Sequence, residues 1–549
     1  MEIGLRTDIP TYSGGLGVLA GDTIRSAADL KLPLIGVTLL TKKGYFHQEI
    51  DETGQQIESP DEWNPADFMK PLSESVQVVI EGREVHVGAW LYVQESVTGG
   101  RVPILYLDTD RDENHPEDRG ITHFLYGGDS AYRLKQEIVL GIGGVRMLDR
   151  LGFEIKKYHM NEGHSSLLIL ELLKKYKRDV EEVWDEKLVW DLERVRKLCV
   201  FTTHTPVEAG HDKFGYDLVE RILPDIVPLE VIKEFGGQDH LNMTYLALNL
   251  SQYINGVAKK HSEVSKNMFP GYEIHAITNG VHSYTWTSEP FRRLYDRYLP
   301  GWANEPEIFV RVGRIPDEEL WTAHMEAKGA LLGQVYADTG IKMEQDILTI
   351  GFARRATAYK RADLLFTNIE RLLQIGEGRL QIIYAGKAHP RDNPGKELIK
   401  RIINTARALS PKIKIVYLKN YNMALALKII SGVDVWLNTP MRPYEASGTS
   451  GMKAAHNGVI NFSVLDGWWI EGHIEGYTGW SIGPPPDVEA DPSKDAEDLY
   501  DKLENLVIPT YYNDRHTWIR MMQNAIGKIA YYFNSHRMMR RYVTEAYIR

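Results

Sequence analysis

Short runs of β-branched and other apolar residues recur along this chain at 34–40, 198–203, 347–352, 380–385, 413–418 and 433–437. Amphipathic stretches such as 396–409 and 422–430 separate the later ones. A strand that is apolar on both faces has to be covered on both, and helices between successive strands provide that cover. The alternation therefore predicts an α/β fold with parallel sheets flanked by helices. At 549 residues the chain exceeds what one core holds, so two domains are expected. Pro300-Gly301, Pro306 and Pro316 break the pattern between 290 and 316. They place an N-terminal α/β domain over 1–300 and a C-terminal one over 301–549, two doubly wound Rossmann-like domains facing a central cleft. Ligands of such sheets sit beyond the carboxyl ends of the strands. Gly483 to Pro486 and the acidic stretch to Asp501 read as an exposed connection. The tail from Trp518 to Tyr547 reads as helical, packing back on the N-terminal domain.

Composition narrows the function. With 43% hydrophobic and 25% charged residues the chain is an ordinary globular protein, and a formal charge of −11 argues against a nucleic-acid or anionic-membrane binder. Any phosphate it handles must then be held by a local cluster of bases. The lone cysteine, Cys199, lies in an apolar run and reads as a buried reduced thiol. The start lacks a basic-then-apolar signal pattern, and no apolar run is long enough to span a bilayer, so a cytoplasmic location is expected.

Residues 445–453 read Glu-Ala-Ser-Gly-Thr-Ser-Gly-Met-Lys. The small residues Gly448, Thr449, Ser450 and Gly451 allow successive amides to close on an anion, and Lys453 follows two residues later. An amine beside a phosphate-sized nest suits pyridoxal phosphate, whose aldehyde needs a lysine for its Schiff base and whose phosphate needs a separate cradle. The plainer alternative is a loop with a solvated lysine. A basic cluster, Arg354, Arg355, Lys360 and Arg361, follows the predicted strand 347–352 and suits two phosphates held close together. Ser13-Gly14-Gly15-Leu16-Gly17 precedes a helical stretch from Val18 to Leu30. It lacks the preceding strand of a dinucleotide fingerprint, yet amides at a helix start still form an anion site. Three polar islands, 159–164, 202–206 and 278–282, each contain histidine. None has the helical i, i+4 histidine pair of zinc hydrolases, so no metal is expected and a sugar pocket suits them better.

Taken together these residues resemble the α-glucan phosphorylase family of glycogen and maltodextrin phosphorylases, over nearly the whole sequence. Its glycosyltransferase-B type fold fits the α/β expectation above. Glu-Ala-Ser-Gly-Thr-x-x-Met-Lys resembles the family's cofactor motif and implies that Lys453 carries pyridoxal 5'-phosphate. Gly448 and Thr449 are implied at the cofactor phosphate together with Arg354, and Trp286 and Tyr421 at the cofactor pocket. Arg355, Lys360 and the Gly14 and Gly15 amides are implied for the substrate phosphate. Asn279, Glu445 and the Ala446, Ser447 and Gly448 backbone are implied for glucose hydroxyls, and His204 lies beside the reacting sugar. Asn161 and His164 resemble the ends of a sugar-site motif whose middle differs here. Thr357-Ala358 replaces a His-Glu pair of the long animal enzymes, and Ser450-Gly451 replaces Gly-Asn. Met1 lies shortly before the glycine loop, so the N-terminal control segment of long relatives is expected to be missing, as in the short unregulated bacterial and archaeal branch.

The resemblance implies reversible phosphorolysis of α-1,4-glucan to α-glucose 1-phosphate with retention. Its partners are glucan and inorganic phosphate, and its usual assembly is a homodimer. Three alternatives stand beside it: a nucleotide-sugar-dependent glucan synthase, a pyridoxal enzyme acting on amino acids, and a catalytically silent glucan-binding relative.

Overall fold

The structure, a computed structural model, describes residues 1–179, 189–223 and 225–548. The chain forms two compact units that are not sequential. The first comprises 1–46, 60–277 and 539–549, and the second 47–59 and 278–538. The change at 277/278 lies before the expected boundary at 300, and the hairpin 47–59 counts with the second unit. The tail is helical, as its sequence suggests, and its residues from Met539 count with the first unit.

In chain order the strands begin with β1 (Gly36–Leu39), the hairpin β2 (His47–Ile50) and β3 (Gln56–Ser59), then β4 (Lys70–Ile80), β5 (Arg83–Glu95) and β6 (Arg101–Asp108). In the first unit β1, β6, β5 and β4 make a mixed sheet, in that order, with only the β1–β6 pair parallel. Next come β7 (Tyr158–Asn161), β8 (Cys199–Thr202), β9 (Lys213–Gly215), β10 (His240–Asn242), β11 (Tyr253–Gly256) and β12 (His275–Ala276). β12-β11-β8-β7 is an all-parallel sheet, and β9 and β10 form an antiparallel pair. Cys199 is buried on β8, where burial pushes its thiol up to about 12.

The second unit holds β13 (Leu348–Ala353), β14 (Leu380–Ala385), β15 (Lys414–Leu418), β16 (Val435–Asn438), β17 (Ile460–Val464) and β18 (Gly479–Ile482). They form one parallel sheet ordered β15-β14-β13-β16-β17-β18. β13, β14, β16 and β17 are buried along their whole length, which is why the first three read as mostly apolar runs, while β17, Ile-Asn-Phe-Ser-Val, does not. Strand order reverses between β13 and β16, and these two pair only at Ile350–Val435 and Gly351–Trp436. Their carboxyl ends therefore diverge, and the segments leaving them, 354–361 and 439–453, are the two phosphate motifs of the sequence. The region after Pro486 is not an exposed connection throughout: Pro492–Lys502 is a helix with Leu499 and Tyr500 buried. Among the described residues no helix is long and apolar enough to cross a membrane.

The opposite end of this sheet is fixed by a buried ionic cluster. Lys328 Nζ donates to Asp434 Oδ2 at 2.6 Å and to the Ile347 carbonyl at 2.8 Å, while His324 Nε2 meets Asp434 Oδ1 at 2.7 Å. Asp434 Oδ2 also accepts the Thr349 amide at 2.7 Å, so one carboxylate ties β13 to β16. Asp434→Ala strands the ammonium in the core and is expected to cost about 3–5 kcal/mol in chemical denaturation, with the double substitution Lys328→Met/Asp434→Leu recovering much of the loss. A cost for Asp434→Ala no larger than that of a surface substitution would contradict this account.

Candidate active site

The basic segment leaving β13 is held rigidly. The Arg354 amide donates to the Ala385 carbonyl at 3.2 Å and the Ala356 amide to the Lys387 carbonyl at 3.0 Å, which keeps 354–356 beside the loop after β14. Gly386, at φ +149°, permits this approach, because a Cβ there would lie 2.0 Å from the Arg354 carbonyl oxygen. The Arg361 guanidinium binds the Thr439 and Pro440 carbonyls at 2.8 and 2.9 Å and Asp495 at 2.7 Å, which makes it a structural anchor. Arg355 is exposed, Arg354 partly buried and Lys360 buried.

Arg354 Nη2 and Lys360 Nζ converge on a single atom, Glu445 Oε2, at 2.6 and 2.5 Å. Burial would raise the Glu445 carboxyl, but the two cations overcome it and hold it down to about 2. Behind Glu445 lies the turn after β17. Asp466 Oδ2 accepts the Glu445 amide and Oδ1 the Gly467 amide, both at 2.9 Å, and the Trp468 amide donates to the Ser447 carbonyl at 2.9 Å. Burial, reinforced by the Glu445 charge, pushes Asp466 up to about 7 against those amides. Gly467 is required here twice over: its φ is +54°, and a Cβ would come within 2.4 Å of the Ser447 oxygen.

Lys453 sits on the short helix Ser450–Ala455, with its ammonium 4.0 Å from the centre of the buried Trp286 ring. Asn457 fixes the pair, since its Nδ2 donates to the Trp286 carbonyl at 2.7 Å and to that of Lys453 at 3.1 Å. His456 adds a second tie. Its Nδ1 faces the Met452 carbonyl and so carries the proton, leaving Nε2 to accept from Ser283 at 2.9 Å. Gly448 adopts φ +86°, and Gly451 has no room for a Cβ, which would lie 2.3 Å from Asn461 Oδ1. Ser447 Oγ and Asn279 Oδ1 are buried without a hydrogen-bond partner among the described residues. A buried amine against an indole, next to a loop of small residues with an unsatisfied hydroxyl, fits an aromatic aldehyde carrying a phosphate. Thr449 begins the same helix. Tyr421, partly buried, lies in the loop after β15. The β2–β3 hairpin clamps that loop and the one after β14: the Asn420 amide donates to Gln48 Oε1 at 2.8 Å, Gln48 Nε2 to the Gly386 carbonyl at 2.9 Å, and the Ala388 amide to Gln56 Oε1 at 3.0 Å.

In the first unit the glycine loop opens the helix Gly15–Asp29, with Gly14 at its N-cap and Gly15 exposed. Glu2, which sequence reasoning passed over, is its partner. Its carboxylate accepts the Ser13 amide at 2.6 Å, the Gly14 amide at 3.4 Å and the Tyr126 hydroxyl at 2.9 Å. Asn161, at the end of β7, and His204, after β8, come together: Asn161 Oδ1 lies 2.5 Å from His204 Nε2. Glu162, at φ +73°, accepts the His204 amide and the Thr205 hydroxyl, both at 2.8 Å. His204 is pushed down to about 3, chiefly by burial, so it is neutral at physiological pH. His164 Nε2 lies 3.3 Å from Arg133 Nη2. Glu2, Asp466, Gln48 and Gln56 carry no local sequence signal, because the groups they bind are brought to them by the fold.

The carbohydrate phosphorylase family model matches residues 7–90 and 226–475. A maltodextrin phosphorylase of Thermococcus litoralis is 43% identical over 100% of this chain and 70% of that protein. A glycogen phosphorylase of Aquifex aeolicus is 39% identical over 100% of this chain and 85% of its own length. An uncharacterized protein of Methanocaldococcus jannaschii is 33% identical over 100% of this chain and 98% of its length.

Asp466 gives a pH signature. Its folded value of about 7 lies above the ordinary 3.8, so the folded protein retains a proton that the unfolded chain releases, and stability from this group is lost as pH rises from about 4 to about 7. Urea denaturation of wild type and Asp466→Asn across that window is expected to show the wild type declining relative to the variant. A difference that does not change with pH would contradict it. Gly467→Ala is expected to cost about 1–3 kcal/mol through backbone strain and the clash with Ser447, read as a lowered thermal midpoint. An unchanged midpoint would contradict it.

Proposed function

The chain belongs to the carbohydrate phosphorylase family, and from that premise we propose that it catalyses reversible phosphorolysis of α-1,4-glucans to α-D-glucose 1-phosphate, with retention of configuration. The observation that carries this reading is the convergence of Arg354 and Lys360 on one anionic atom, next to a buried Lys453 lying on Trp286. A glucan synthase using a nucleotide sugar has no need of such a lysine.

Lys453 would anchor pyridoxal 5'-phosphate, with Trp286 and Tyr421 against its ring and Gly448, Thr449 and Arg354 at its phosphate. When bound, that group supplies a phosphate able to donate and accept a proton. The residues of the chain do the rest. Arg355 and Lys360, with the Gly14 and Gly15 amides, are assigned to the inorganic phosphate. Their task is to offset the repulsion that keeps two phosphates apart and to hold the attacking oxygen in position. Asn279, Glu445 and the 446–448 backbone are assigned to glucose hydroxyls. His204 is neutral, and its main chain is fixed through Glu162. It is assigned the role of offering its carbonyl dipole to positive charge developing on the sugar. Asn161 orients the His204 ring, and His164 is retained as a sugar-side residue on resemblance alone. A cytoplasmic homodimer completes the proposal.

The test is glucose 1-phosphate release from maltoheptaose by protein supplied with pyridoxal phosphate, with and without inorganic phosphate. Release is expected only with phosphate, and Lys360→Met is expected to raise the KM for phosphate roughly 10- to 100-fold, the worth of one charged hydrogen bond. Glucan cleavage that proceeds equally well without phosphate would overturn the reading.

A further inference from the structure

Glu445 presents one oxygen to both Arg354, assigned above to the cofactor phosphate, and Lys360, assigned to inorganic phosphate. The carboxyl is held to about 2 by these cations against the effect of burial, so it is an anion at neutral pH. An inorganic phosphate and this carboxylate cannot both hold the Lys360 ammonium in a desolvated site without strong like-charge repulsion. The main chain of Glu445 is not free to retreat. Its amide is bound to Asp466 at 2.9 Å, and the neighbouring Ser447 carbonyl is held by the Trp468 amide at 2.9 Å. Only the side chain can move. It borders Gly448, where a Cβ would stand 3.3 Å from both Glu445 Cγ and Trp468 Cδ1, so a larger residue there would crowd that side chain.

We infer that Glu445 is an internal counter-ion that phosphate must displace, and that the displaced carboxylate then accepts a sugar hydroxyl, so that phosphate and glucan each favour the binding of the other. The second half rests on the function proposed above, which gives Glu445 to a glucose hydroxyl. Coupling of this kind is reciprocal: whatever phosphate gains from a carboxylate already engaged by sugar, sugar gains from a carboxylate already expelled by phosphate. Asp466 and Gly467 act as positioning residues, keeping the main chain still so that rotation of one side chain carries the exchange.

Inorganic sulfate, which takes the phosphate's place without turnover, reads the competition directly. Its affinity for the pyridoxal phosphate-loaded protein is measured by titration calorimetry with and without maltoheptaose, in wild type and in Glu445→Gln. Wild type is expected to bind sulfate about tenfold more tightly with glucan present, within the ordinary range of coupling between sites. Glu445→Gln is expected to bind it more tightly than wild type without glucan, and to be indifferent to glucan. Wild-type sulfate affinity unchanged by glucan would overturn the inference, as would a folded Glu445→Gln that binds sulfate no better than wild type. The wild-type arm decides the matter by itself if the variant does not fold. Failure of the proposed function would appear separately, as glucan cleavage without a phosphate requirement.

Discussion

One carboxylate oxygen shared by an arginine and a lysine is the interaction around which the second unit is arranged. Arg354 and Lys360 leave the end of β13, and Glu445 comes from the segment after β16. The contact exists only because these two strands are central neighbours whose order reverses between them and whose pairing is short. The buried Lys328–Asp434–His324 cluster ties the same two strands at their other end. The sheet is thus fixed by a permanent ion cluster on one side, while its other side carries an ion contact made of ligand-binding types of side chain.

Two carboxyl groups next to each other, one held to about 2 and the other raised to about 7, would in many clefts mark a general acid and its partner. Here the geometry assigns them differently. Both Asp466 oxygens are turned toward backbone amides, of Glu445 and Gly467, and the side chain is buried. Asp466 braces a loop and offers no face to a substrate. Among the described residues, Glu445 is engaged by two cations and Asp466 by two amides, so these neighbouring carboxyls do not form a free acid and nucleophile pair.

Much of this was legible in the sequence because it was local. The strands at 380–385 and 413–418 appear within a residue of their apolar runs, and the basic segment and the small-residue loop each fall at the end of a strand. What sequence could not show depends on distant pairing. The place of the β2–β3 hairpin in the second unit follows from Gln48 and Gln56 binding the main chain at 386, 388 and 420, more than 300 positions away. The long strands β4 and β5 have one exposed polar face and do not read as apolar runs. Glu2 and Asp466 are ordinary acids until the fold brings amides to them. Trp302, Trp436, Trp469 and Trp518 lie in the core, and Trp286 meets a lysine.

The central claim is that Lys453 anchors a cofactor whose phosphate, rather than its carbonyl carbon, takes part in glucan chemistry. Borohydride reduction of the pyridoxal phosphate-loaded protein, followed by peptide mapping and a phosphorolysis assay on the same sample, tests it most directly. The account predicts one pyridoxyl group on Lys453 with activity largely retained. Labelling of a different lysine, or complete loss of phosphorolysis once Lys453 is labelled, would contradict it.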